Sequence, residues 1–188
     1  MEISMSQTPT LDILNDIQSA ALNNAAPLPP RETARLDWQG VGFQVGGLRL
    51  VSPLGEVSEV LTLPRLASLP GVKSWVLGVA NVRGRLIPIV DLHEFLGLTS
   101  TLPRAQWRVL VVEDEDLIAG FVVEQSLGIH HFLEEAIDEA DMHVHASIKP
   151  YTRGVFRDGG QVFFEAHLKL ILRDDRFFDV AERTEQKG

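Results

Sequence analysis

The chain has 188 residues, 45% of them hydrophobic, which is enough apolar material for one or two small domains with a packed core and argues against whole-chain disorder. Lys and Arg total 17 against 26 Asp and Glu, a formal charge of −9 that makes DNA, RNA and anionic membrane poor partners. Cysteine is absent, which removes disulfides, thiolate catalysis and cysteine-based zinc sites together and suits a cytoplasmic setting.

The opening MEISMSQTPT has neither a basic start nor a long apolar run, so it does not read as a secretory signal. No stretch approaches the roughly 20 apolar residues of a membrane helix. Residues 1–36 read as an N-terminal extension. Leu11, Leu14, Ile17, Ala21 and Leu22 share one helical face behind the start signal Pro9-Thr10, and a Pro-rich polar linker follows. A frayed tail with a transient helix and a docking helix both fit this pattern.

From Asp37 the pattern is β. Val41, Phe43 and Val45 alternate, and Gly46-Gly47 turns the chain into Leu48 and Leu50. Strands are predicted over Val57–Leu63, Val76–Val82 and Leu86–Val90, the last two parted by Arg83-Gly84-Arg85. Pro88 lacks an N–H donor, so its strand is expected to be an edge or to bulge there. Asp91 and Glu94 have the spacing of a capping box before Leu92, Phe95 and Leu96, and Gly97 suits the exit.

The second half repeats this layout. Arg108–Glu113 and Leu117–Glu124 flank the acidic tip Asp114-Glu115-Asp116, and Leu127–Phe132 reads as another strand. Residues 134–149 are acidic and irregular. Tyr151–Arg157 and Gln161–Glu165 form a hairpin across Asp158-Gly159-Gly160, and His167–Leu172 reads as a last helix. Phe177, Phe178 and Val180 are expected to tuck back onto the core. About ten short strands with closely spaced turn signals indicate an all-β fold of barrels or sandwiches.

Reactive chemistry is thinly supported. His143 and His145 would share one side of a strand and lie near His130-His131, a usable ligand spacing, but the segment is loop-like and lacks cysteine. The 113–116 acids lack the ligand spacing and glycine of a calcium loop and read as a solvated hairpin tip. Ser74, Ser126 and Ser147 lie outside any G-x-S-x-G context, and Asp91 has a sufficient role as a helix cap. No catalytic residue, metal ligand or cofactor is assigned.

The informative stretch runs from Leu69 to Leu92: a Pro70-containing lead-in, Gly78-Val79-Ala80-Asn81-Val82-Arg83-Gly84, an apolar strand with Pro88, then Asp91-Leu92. It resembles the signature of the CheW family, with Val82 in place of the commoner leucine. Gly55 to Val60 looks like that family's third strand. Val109–Val112 and Gly120–Gln125 look like paired strands of its second barrel, and Pro150–Val155 with Gly159-Gly160 like the closing part. Within the family, Gly55–Leu61, Leu69–Trp75 with Lys73, Gly78–Arg85 and Phe178–Val180 look most like the branch serving type IV pili and twitching motility. Glu124-Gln125 depart from the usual Val-Asp, Phe164–Leu168 from a Leu-Asp-Leu-x-x-Leu ending, and the acidic segment 134–149 is also atypical.

The resemblance implies two small five-stranded β-barrels with short helices over residues 37–180, a groove between them, the extension 1–36 and a tail 181–188. It implies a non-catalytic cytoplasmic adaptor, recruited to membrane-associated receptor arrays. One surface would meet the regulatory domain of a CheA-like histidine kinase and another the cytoplasmic tip of a methyl-accepting chemoreceptor, with no small-molecule substrate. A flagellar coupling protein, a structural array protein and a histidine-based metal enzyme are the alternatives. For the receptor-facing site the candidates are Val79, Asn81, Val82, Arg83 and Gly84. Arg83 can pair bidentately with a carboxylate on a receptor helix or brace its own turn internally, and Gly84 permits the turn. Asn81 can bond nearby backbone instead, and Val79 and Val82 can equally be core. Val57, Glu59 and Leu61, which share one side of a strand, are the candidate kinase-facing edge.

Overall fold

The computed structural model describes residues 37–133 and 145–181. The amphipathic stripe of the N-terminal extension, most of the acidic segment, His143 and residues 182–188 lie outside them.

Short turns set the frame. β1 (Asp37–Val45) reverses into β2 (Leu48–Pro53) across Gly46-Gly47, and β9 (Thr152–Asp158) into β10 (Gln161–Ala166) across Gly159-Gly160. Between them lie β3 (Val57–Thr62), the hairpins β4 (Val76–Val82) with β5 (Arg85–Asp91) and β6 (Arg108–Asp114) with β7 (Leu117–Val123), and β8 (Gln125–Leu133). α1 (Leu92–Phe95) follows β5, while α2 (Leu168–Leu172) and α3 (Asp175–Phe178) follow β10.

The strands form two five-stranded sheets, ordered β8-β1-β2-β10-β9 and β3-β6-β7-β5-β4. Each contains one parallel pair, β2 with β10 and β5 with β7, amid antiparallel neighbours. The division differs from the one the sequence suggested, in which β6 and β7 share a barrel with β9 and β10. The second sheet is instead the continuous run β3–β7, inserted between the two parts of the first. The chain crosses back at Glu124, which separates β7 from β8 with no turn residues, and the insertion supplies the long connection that a parallel β2–β10 pair needs.

β5 is also interior rather than an edge. Its ladder to β7 begins at Ile89, one residue after Pro88, so the proline falls where β5 pairs with β4 alone. Nor is the bulge at the proline: it lies in β4 between Val76 and Gly78, opposite Val90 and Ile89, while Pro88 pairs with Val79. Gly78 has φ +136°, and a Cβ there would meet the Ala67 carbonyl oxygen at 2.3 Å. That close approach allows Ala67 and Val79 to exchange two backbone hydrogen bonds of 2.9 Å, covering part of the β4 edge.

Packing follows strand alternation. In β6, Val109 and Val111 point into a core inside the second sheet with Ile87, Ile89, Trp107 and Val122, while Leu110 and Val112 point the other way. The latter join Phe43, Leu50, Phe121, Val123, Phe95 and Leu168 in a larger core shared by both sheets and the helices. A third cluster of Val51, Phe132, Phe156 and Phe163 fills the first sheet. β6 and β7 are therefore buried on both faces, which is why they read as unbroken apolar runs.

At the C-terminal end Phe177 packs against Trp75, Phe95 and Phe121, but Phe178 and Val180 stay exposed rather than tucking in. Backbone pairing of Lys73 N–H with the Val180 carbonyl, and the Val72–Ala181 bridge, run the segment along the surface and turn those side chains outward.

Leu110→Ala would leave a void in the shared core. A loss of about 3 kcal/mol of stability is expected, read as a lower urea midpoint. Val60→Ala, on the exposed face of β3, should stay within about 0.5 kcal/mol.

Candidate partner-binding site

The β4–β5 hairpin is the two-residue kind. Arg83 (φ +50°) and Gly84 (φ +84°) both occupy the left-handed region, the conformation whose twist matches the flanking strands. Glycine adopts it freely, and arginine does so at some cost. Asn81 steadies the bend: its Oδ1 accepts the Gly84 N–H at 2.8 Å. The backbone bond expected of Asn81 is formed.

Arg83 forms a fork on Glu59. Its Nε lies 2.9 Å from Oε2, and Nη2 donates to Oε1 at 2.9 Å. The Arg83 side chain is 78% exposed and that of Glu59 20%, so the carboxylate is recessed and the guanidinium stands out. A second pair lies alongside, Arg85 Nη1 to Glu113 Oε2 at 3.0 Å, with Ser58 Oγ donating to the Val111 carbonyl at 3.1 Å. Exposed pairs of this kind contribute between zero and about 1 kcal/mol each, so their main effect is orientation. Together with Val82, Val111 and Ile118 these groups line an open cleft of about 110 Å³. Its lining comes from the second sheet alone, whereas the resemblance placed a groove between the barrels.

The two candidate sets therefore meet: Glu59, assigned to the kinase edge, holds Arg83, assigned to the receptor. Val57, Glu59 and Leu61 are all half-buried, but the bulge between Val57 and Glu59 breaks the alternation, so Val57 pairs with Val112 and faces away from the side that Glu59 and Leu61 share with Val111 and Val109. Val57 packs on the shared core and Leu61 on the second sheet's core, while Ser58, Val60 and Thr62 face outward. Val82 packs on the same inner core as Leu61, and Val79 is half-buried and spends its backbone groups on Ala67. Arg85, Glu113, Ser58 and Ile118 were missed. The Arg83-Gly84-Arg85 step signalled a second cation, but nothing local pointed to its partner on β6.

The acidic tip is not simply solvated. Asp114 pairs with Arg173 and lies 3.7 Å from Lys169 Nζ, and Glu115 Oε1 accepts from Arg173 Nη2 at 3.2 Å. The Arg173 guanidinium holds the Asp114 carboxyl below the usual carboxylate range. Asp91 caps α1, accepting the His93 and Glu94 N–H groups at 3.0 and 3.3 Å. His145 Nδ1 meets Ser147 Oγ at 2.7 Å, and the His130 ring packs against Phe132 and Phe163. Among the described residues, no three His, Asp or Glu side chains gather in a metal-binding group, and no helix is long and apolar enough to cross a membrane.

The site is thus a braced Asn-x-Arg-Gly hairpin standing over a shallow cleft, carried on a pair of five-stranded sheets. The chain belongs to the CheW-like domain family, which matches residues 39–176. It is 44% identical to Protein PilI of Pseudomonas aeruginosa over 176 residues, spanning 93% of this chain and 97% of that one. It is 24% identical to the chemotaxis protein CheW of Thermotoga maritima over 139 residues, 74% of this chain and 84% of that one. The solved structure of the scaffolding protein TtCheW from Thermoanaerobacter tengcongensis superposes with a TM-score of 0.62 at 19% identity, covering 71% of this chain and 92% of that one, and shares the fold.

Gly84→Ala places a Cβ in open space but in a backbone conformation that L-residues resist. A loss of about 1 kcal/mol is expected in urea unfolding, with the far-UV spectrum unchanged.

Proposed function

We propose that this protein is a non-catalytic adaptor that couples the cytoplasmic tip of a methyl-accepting chemoreceptor to a CheA-like histidine kinase. The pathway is a chemosensory one controlling type IV pili and twitching motility. The reading rests on the family, on the extent of likeness to PilI, and above all on the outward Arg83 guanidinium held by a recessed Glu59 at a left-handed turn. A planar fork presented at fixed angle over an apolar-floored cleft suits a helix carrying a carboxylate beside an aliphatic side chain. Val79, Asn81, Val82, Arg83 and Gly84 belong to this receptor-facing site. The kinase's regulatory domain meets the β3 edge, where Val57, Glu59 and Leu61 set the strand's position and its free side receives the partner. Transmission then requires only that the two receptor states contact the adaptor differently. The protein works in the cytoplasm, at receptor arrays, without cofactor, metal or small-molecule substrate.

In a reconstituted array of receptor, kinase and adaptor, Arg83→Ala should weaken receptor association by about 2 kcal/mol, roughly 30-fold, and Arg83→Glu by more. Both variants should keep the fold, because the Arg83 side chain is largely exposed. Receptor-dependent kinase activity equal to wild type in both would remove Arg83 from the mechanism. Failure to bind any CheA-like kinase would overturn the adaptor reading itself.

A further inference from the structure

Away from the hairpin, a second polar cluster is buried where the chain crosses between sheets. Glu124 is 0% exposed. Its Oε2 accepts the Gly47 N–H at 3.2 Å from the β1–β2 turn, and its Oε1 accepts the Thr101 hydroxyl at 3.0 Å and the Thr101 N–H from the segment before β6. Its own N–H donates to the Gln44 carbonyl at 2.9 Å. Burial raises the Glu124 carboxyl, but the Thr101 and Gly47 N–H groups outweigh it and hold it below the usual range, so the group is an anion. Asp91 is likewise held low, the bonds from His93 and Glu94 outweighing burial.

Between these two anions lies His93 of α1, itself buried and stacked on Trp107 with centroids 5.3 Å apart. Its Nδ1 is 2.9 Å from Asp91 Oδ1. An ionised carboxylate only accepts, so Nδ1 carries a proton. That leaves Nε2 buried, without a hydrogen-bond partner, 3.9 Å from Glu124 Oε1. In the neutral ring this nitrogen presents a lone pair towards a carboxylate. In the imidazolium it presents an N–H to an acceptor slightly beyond bonding distance, and a small shift of α1 closes the contact.

We propose that His93 is a proton-operated latch: proton uptake at Nε2 ties α1, and with it the second sheet, to the Glu124 crossover into the first, and proton release opens the tie. The groups facing the ring are Asp91 from β5 and Glu124 from the crossover. Trp107 lies beside it with the Arg104 guanidinium 5.0 Å from the indole centroid, and Glu94 is the neighbouring charge on α1. The folded protein gains a contact on protonation that the unfolded chain lacks. A contact made only by the protonated ring stabilises the folded protein more at lower pH. The latch needs neither receptor nor kinase, so its fate is independent of the adaptor reading.

The test is an imidazole-detected NMR titration of the full chain between about pH 5 and pH 8, the range in which histidine changes charge. Urea unfolding is followed over the same range. The His93 ring signals should move while the protein stays folded, with the Thr101 and Gly47 amide signals moving on the same curve. The urea midpoint should rise on acidification, and His93→Gln should lose that component while His167→Gln, which removes the ring between Glu56 and Glu165, should not remove it. Glu124→Gln should shift the His93 titration to lower pH. A His93 ring that is silent across the range, or amides that follow some other titration, overturns the latch. The wild-type spectra alone decide this even where a variant fails to fold.

Discussion

The burial of β6 and β7 on both faces is the constraint from which the rest of the architecture follows. A strand that places Val109 and Val111 in one core and Leu110 and Val112 in another cannot slip by one residue without exchanging both sets. The large aromatic side chains Phe43, Phe121 and Phe95 sit in the core that both sheets share, so neither sheet keeps its apolar outer face covered without the other. Two small sheets, each with a modest interior, thereby behave as one packed body. The partner-facing features are carried on a support whose strands have no freedom to shift.

On that support the β4–β5 hairpin is stiff for local reasons. Its left-handed backbone, the Asn81–Gly84 bond and the Glu59 fork each restrict a different freedom: the backbone, the bend, and the long arginine side chain. An arginine already ordered before binding loses less entropy on meeting a partner. The internal ion pair and the recognition role are therefore compatible. Glu59 can hold Arg83 in place and still leave its outer N–H groups available to a visiting carboxylate.

Much of this was legible where the information is local. The Gly-Gly and Arg-Gly turn pairs marked the hairpins, the Val41, Phe43, Val45 alternation marked β1, and Asp91 marked the cap of α1. What escaped depends on residues far apart. The sharing of strands between sheets is set by parallel pairing of Leu50 with Phe164, which leaves no periodic trace. Pro88 suggested an edge because the rule concerns one residue's donor, while the ladder on its other side simply starts one residue later. The acids at Asp114 and Glu115 looked solvated because their partner, Arg173, lies beyond four further strands. Glu124 did leave a trace: a charged residue ends an apolar run and leads into the next strand with no glycine or proline between. That is the pattern of a chain changing sheets rather than reversing.

The nesting of one sheet inside the other bears on the order of assembly. The strands β3 to β7 are consecutive, so their ladders close short loops and can form while the chain is still being synthesised. The first sheet cannot be completed until β9 and β10 arrive to meet β2, across nearly the whole length of the domain. During that interval β1 and β2 are a hairpin with an unsatisfied apolar face. The late strands, more than the signature hairpin, are then where a truncated or stalled chain is most exposed to aggregation.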